Sequence, residues 1–373
     1  MADANKLATP QFEQLKRARE RRLFFCDPRI LLTSVCADEE YSSSNLLARG
    51  CVMSKSIRLA VLIVFAQSLL CVAQVSSNVG VVNSTENPLQ VAILHWYKAN
   101  RSTQFPVGSE PFGVAFDGAN IWVANEGGNS VTKLRANDGT NLGTFAVGTE
   151  PFGLAFDGAN IWVANGISNT VTKLRASDGA TLGTFGVGIL PLGVAFDGAN
   201  IWVTNAQSNT VTKLRASNGA TLGTFAAEGA YGVAFDGANI WVTNPGNNTV
   251  TKLRASDGKT LGIFAVGITP VAVAFDGENI WTANQNGNSV TKLRASDGAA
   301  LGTFHVGIEP FSLAFDGANI WVTNGGSNTV TKLRASSVTI LGTFTVGNLP
   351  AGVAFDGANI WVANQFSNTV SKL

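Results

Sequence analysis

The chain has 373 residues, 45% of them apolar and 14% charged, with a formal net charge of +1. Residues 1–104 carry 12 Lys and Arg against 8 Asp and Glu, whereas residues 105–373 carry 14 against 17. A mildly acidic body without a basic stripe excludes the clustered cations that nucleic-acid phosphates demand. The cysteines, Cys26, Cys36, Cys51 and Cys71, all precede that body, so it is held together without disulfides.

Residues 1–52 bear a charged run, Lys16-Arg17-Ala18-Arg19-Glu20-Arg21-Arg22, and no core pattern. They are expected to be an extension of the gene model or a disordered segment. After Met53 come Lys55 and Arg58, an apolar run from Leu59 to Val72, and small residues at Cys71 and Ala73, the layout of a secretory signal cut before Gln74. The run is short for a bilayer span of about 20 residues. Residues 53–73 therefore read as a signal peptide starting at Met53, with no stable membrane span and a secreted or periplasmic product. The competing reading keeps the whole chain and makes Leu59–Val72 a signal anchor. Residues 74–101 read as a leader, in which Asn87-Pro88 starts a short helix over 88–98 with Leu89, Ala92, Ile93 and Trp96 on one face. A strand from Val91 to Tyr97 competes with that helix.

From residue 102 the chain is repetitive. Phe116-Asp117-Gly118-Ala119-Asn120-Ile121-Trp122 returns six times, with tryptophans at 122, 162, 202, 241, 281, 321 and 361, spaced by 40, 40, 39, 40, 40 and 40 residues. Such a period marks a repeat architecture whose units cannot bury their faces alone. The first unit reads as strands over Phe112–Phe116, Asn120–Ala124, Ser130–Arg135 and Leu142–Val147, bounded by Gly, Asn and Asp. No unit has ten Gly-free residues with a 3.6-residue period, so helices are excluded. Four strands per unit and seven units predict an all-β fold, a seven-bladed β-propeller. The last unit ends after its third strand, and Ser102-Thr103-Gln104-Phe105-Pro106-Val107-Gly108 matches the fourth strands of the others. The N-terminal strand is thus predicted to complete the last blade and close the ring, with Pro106 acceptable on an outer edge.

The units Pro-Phe-Gly-Val-Ala-Phe-Asp-Gly, Ile-Trp-Val-Ala/Thr-Asn and Asn-Thr-Val-Thr-Lys-Leu resemble the YVTN-type, NHL-like β-propellers of secreted bacterial proteins, with Trp-Val-Thr-Asn standing for Tyr-Val-Thr-Asn. The resemblance covers residues 105–373 and implies the fold; this family includes binding proteins, surface proteins and a few enzymes. The repeats are also similar to those of the virginiamycin B lyase family. The histidine and metal-binding acids which that likeness implies have no match, because no unit carries His beside its Pro-Phe-Gly.

Most of the repeated polar residues have structural readings. Asp117 and its equivalents are expected to make Asp-Gly turns, each Trp to fill a gap between blades, and Lys133 and Arg135 to be solvated heads on apolar stems. His305, with Glu309 four residues on, is too little for a metal set or a catalytic pair, and no nucleophile triad assembles. Neither a catalytic residue nor a cofactor is assigned.

The turns between strands one and two and between three and four are nearly constant, whereas the other two connections vary from unit to unit. Both variable connections open at one end of an up-and-down ring, and loops on a rigid scaffold carry function. At that mouth the candidate ligand-binding residues are Phe112, Phe152, Tyr231 and Phe311 as apolar platforms, Glu110, Glu150 and Glu309 as acids, and Asn125, Asn165 and Asn205 from a ring of asparagines. The function expected is a monomeric binding or interaction module for a sugar, a peptide or a protein partner. A propeller lyase or hydrolase at the same mouth, and a structural cell-surface protein, are the alternatives.

Overall fold

A computed structural model of the chain describes residues 103–373. The expectations for the extension, the signal peptide and the leader lie outside the described residues. The first repeat folds as β2 (Pro111–Phe116), β3 (Asn120–Asn125), β4 (Ser130–Arg135) and β5 (Asn141–Ala146), an antiparallel sheet hydrogen-bonded in that order. Each strand lies within one residue of its predicted bounds. Between β2 and β3 the chain reverses at Gly118, whose φ of 95° costs a residue without Cβ nothing.

Seven such four-stranded sheets form a propeller. The first strand of each sheet lies against the first strands of its neighbours, and β2 meets Pro350–Phe355, the first strand of blade seven, so the ring closes. Closure comes from β1 (Thr103–Pro106), which pairs antiparallel with Thr369–Lys372, Phe105 opposite Val370. Inner strands crowd at the hub: a Cβ on Gly113 would run into the Phe152 carbonyl of blade two. The 39-residue spacing falls in the loop before blade four, where Glu228-Gly229-Ala230-Tyr231 replaces a Pro-containing connection and the inner strand shortens to Val233–Phe235.

Both faces of a blade are covered, and that decides how side chains distribute. Trp122 and Val131 of blade one pack on Ile161, Val163, Leu174 and Ala176 of blade two, and the same cluster recurs at every junction around the ring. Burying each indole contributes roughly 150–250 Å² of contact area to a junction. The tryptophans thus sit between blades, as expected.

The lysines do not sit where the sequence put them. Lys133, Lys173, Lys213 and Lys252 are buried, not solvated. Lys133 Nζ lies 5.0 Å over the Trp122 ring and donates to the Ala176 carbonyl at 2.6 Å and the Ser177 carbonyl at 3.1 Å, both in the next blade. Alternation along β4 gives no solvent face here, because a second sheet covers the side a lone sheet would expose. Arg135 is exposed as predicted, at 3.1 Å from Asp138.

Candidate functional site

The mouth is built from three tiers contributed by every blade. Its floor is the second residue of each inner strand: Phe112, Phe152, Leu192, Val271, Phe311 and Ala351, with Tyr231 as the equivalent in blade four. Phe112 stands edge-to-face against Phe152 at 5.1 Å and against Phe311 at 5.2 Å between centroids. Phe112 and Phe311 come from blades one and six, and the small Ala351 of blade seven between them leaves room for that contact. Phe152 is buried and Phe112, Phe311 and Tyr231 are half-buried. The predicted platforms are therefore brought together, but as a plug that closes the hub and offers only part of each ring to the mouth. Burial raises the Tyr231 phenol pKa, and the charge of Glu126 adds to the effect.

The second tier is the residue before each inner strand, held in the left-handed region. Glu110, Glu150 and Glu309 have φ of 53°, and Leu190, Thr269 and Leu349 share the conformation. An asparagine of the preceding blade fixes each one: Asn129 Oδ1 accepts from Glu150 N at 2.9 Å, and Asn368 Oδ1 accepts from Glu110 N at 2.9 Å across the closing junction. These asparagines carry φ near 50° themselves, Asn129 at 49° and Asn368 at 53°. The Asn-Ser/Thr pair at the head of each third strand was the signal that sequence reasoning left unused.

Asn125, Asn165 and Asn205 are fully buried, one tier deeper. Asn125 Oδ1 accepts from Gly108 N at 3.0 Å while its Nδ2 donates to Ser130 Oγ at 3.1 Å and Thr132 Oγ1 at 2.9 Å. Asn165 and Asn205 make the corresponding bonds. Their hydrogen-bonding groups are committed inside the blades, which leaves them nothing to offer a ligand.

The residue that the sequence did not single out is Glu126, first in the connection between β3 and β4. Its backbone N–H donates to the Glu110 carbonyl at 2.9 Å, which ties this connection to the residue before the inner strand. Glu126 as a whole residue is 6% exposed, and Gln365 of blade seven donates from Nε2 to Glu126 Oε2 at 2.7 Å. Among the described residues no lysine or arginine pairs with it. Burial, then the charges of Glu110 and Glu150, push its pKa up to about 7 against the lowering effect of Gln365. The other six blades place Gly166, Ala206, Pro245, Gln285, Gly325 and Gln365 at this position, so the acid is unique to blade one. Glu309, on blade six, is not among the charges acting on Glu126; its carboxylate lies by Gly326. Among the described residues no three His, Cys, Asp or Glu converge on one point as a metal set, and His305 is exposed at the outer edge of blade five.

No family model matches the chain, and no curated protein matches it. Solved structures share the fold. The virginiamycin B lyase of Staphylococcus aureus superimposes with a TM-score of 0.63 at 18% identity, over 73% of this chain and 98% of that one. A streptogramin B lyase gives 0.62 at 20%, over 73% and 96%. The hydrazine synthase of Kuenenia stuttgartiensis gives 0.62 at 19%, over 79% and 99%. At these identities the likeness establishes a seven-bladed propeller and leaves function to the site itself.

Proposed function

We propose that the chain is a binding module, exported through the signal after Met53, that takes a ligand bearing a cationic group at the mouth lined by the variable loops. The observation that carries this reading is Glu126, a buried acidic residue whose carboxylate has, among the described residues, one hydrogen-bond partner, the neutral amide of Gln365. A buried charge without a counter-charge is costly, and Glu110 and Glu150 add to that cost. An ammonium group entering the mouth relieves both, and the partly exposed Phe112 and Phe311 rings supply faces that attract a cation. Anions are disfavoured by the same acids.

The test is a calorimetric titration of the protein with tetramethylammonium chloride, set against a neutral oligosaccharide, at pH 8. The cation should bind the native protein and not the Glu126→Gln variant. Binding of the sugar alone, unaffected by that substitution, would contradict the reading.

The same carboxylate supports a second reading, since a group that titrates near neutrality suits general acid–base work, and two of the proteins that share the fold are lyases. A module returns its ligand unchanged, whereas an enzyme consumes it.

A further inference from the structure

Two residues of each blade make the rim of the mouth. One precedes the left-handed residue of the second tier, and the other is second in the connection between strands two and three. Their backbones adjoin: Ile167 N donates to the Thr149 carbonyl at 3.3 Å, Gln207 N to that of Ile189 at 3.2 Å and Phe366 N to that of Asn348 at 3.2 Å. Five blades place one large apolar side chain here, from whichever of the two positions: Ile167 in blade two, Ile189 in three, Ile268 in five, Ile308 in six and Phe366 in seven. Each is between 52% and 57% exposed. Blades one and four have none. Blade one has Ser109 and Gly127, and a Cβ on Gly127 would lie 2.9 Å from Glu110 Oε2. Blade four has Glu228 and Gly246; a Cβ on Gly246 would meet open space, and Asn247 Nδ2 donates to Glu228 Oε2 at 3.0 Å. The rim is therefore apolar along two arcs, and each gap between them holds a glycine beside a glutamate. Blades one and four stand nearly opposite in a ring of seven, so the gaps mark a passage across the hub. Glu126 lies on that line, close enough to blade four for its charge to act on Tyr231. Every Lys and Arg after residue 104 lies in a third strand or the turn that follows one, so among the described residues the mouth carries glutamates and neither Lys nor Arg.

We propose that this passage seats an extended segment of a partner protein that carries a lysine or arginine between apolar residues. The proposal rests on the cationic reading of Glu126 and names what surrounds the cation. A segment lying from blade one to blade four runs between the two arcs, with its flanking side chains in reach of both. It passes over Glu126, to which a long basic side chain can be lowered. Gly127 and Gly246 admit its backbone at the rim, since neither raises a side chain there. Exposed apolar patches mark protein or membrane contacts, and the glutamates disfavour an anionic lipid surface. A small amine would satisfy Glu126 and leave the arcs in water, whereas an apolar segment without charge would leave Glu126 uncompensated.

Calorimetric titration at pH 8 tests this with two end-blocked heptapeptides, Leu-Thr-Leu-Lys-Leu-Thr-Leu and Ser-Thr-Ser-Lys-Ser-Thr-Ser, and with tetramethylammonium as the small-cation control. The leucine peptide should bind the native protein about tenfold or more tighter than the serine peptide. The combined Ile167→Ser, Ile268→Ser, Ile308→Ser variant should erase that margin, and Glu126→Gln should weaken both peptides. Loss of tetramethylammonium binding in the triple variant would reveal a misfolded chain. Gly246→Gln, whose side chain enters open space, then takes its place and should weaken the leucine peptide about tenfold. Equal affinities for the two peptides, or a margin that survives these substitutions, would overturn the proposal. If tetramethylammonium still binds in that case, the cationic reading stands and the passage alone falls; if it does not, both fall. Dimerisation of the native chain in sedimentation, abolished in the triple variant, would assign the rim to a second copy and overturn the proposal as well.

Discussion

The carboxylate at each Asp-Gly turn is predicted to hold a blade together through its indole, and Asp197→Asn isolates that role. Asp197 Oδ1 accepts from Ala199 N at 2.9 Å and Asn200 N at 2.6 Å, and Oδ2 accepts from Trp202 Nε1 at 2.8 Å. An amide in its place either turns an NH2 toward the indole N–H, donor against donor, or flips and surrenders the backbone bonds. Trp202 is fully buried, so water cannot take over. An unsatisfied buried donor costs roughly 1–3 kcal/mol and a lost bond to a charged acceptor a similar amount; the sum expected is about 3 kcal/mol. The effect has a pH signature. Burial pushes the Asp197 carboxyl up, but bonds from Trp202, Ala199 and Asn200 outweigh it and hold the folded pKa below its ordinary value. Its contribution is therefore present above the unfolded pKa and lost as pH falls through the folded one. Urea denaturation should show a large deficit for the variant at neutral pH that shrinks in acid. Asp178→Asn, which removes an exposed acid paired to Arg175, is the control and should leave the midpoint in place. A midpoint for Asp197→Asn equal to that of the control, or a deficit unchanged by acid, would refute the reasoning.

Three further outcomes follow from the same contacts. Lys173→Met keeps the stem on Trp162 but removes the donor to the Ala216 carbonyl at 2.7 Å, and should cost about 2 kcal/mol by denaturation while Arg215→Met costs little. Because Glu126 binds its proton more tightly folded than unfolded, native stability should fall as pH rises from the ordinary glutamate range to about 7; Glu126→Gln should flatten that limb, by up to about 3 kcal/mol. Replacing Phe112, Phe152 and Phe311 together by Ala should lower the melting temperature as well as any affinity, since the rings pack edge-to-face and truncating a buried Phe costs about 3–5 kcal/mol.

The architecture was legible because a 40-residue period, turn residues at constant offsets and a stray fourth strand at Ser102–Val107 leave one arrangement. Misreadings came from distances that no repeat displays. Lys133 alternates with Leu134 as a surface residue would, yet the neighbouring blade roofs it. The Asp117 turn was readable, but its bond to Trp122 Nε1 depends on the indole lying back across the hairpin. Asn125 looked available at the mouth because sequence gives order along a strand and not depth beneath a loop. Glu126 was hidden for the same reason: it begins one of seven unlike connections, and only the converging geometry of the ring shows that this one is buried beside two other acids.

The central claim is that a proton-linked carboxylate at the mouth receives a cation, and the affinity for tetramethylammonium at pH 6 and pH 8 tests it most directly. With Glu126 titrating at about 7, roughly a tenth of the sites are ionised at the lower pH and nine-tenths at the higher, so affinity should rise about tenfold between them and vanish in Glu126→Gln. Affinity that is independent of pH and indifferent to that substitution, or no binding at either pH, would contradict the account.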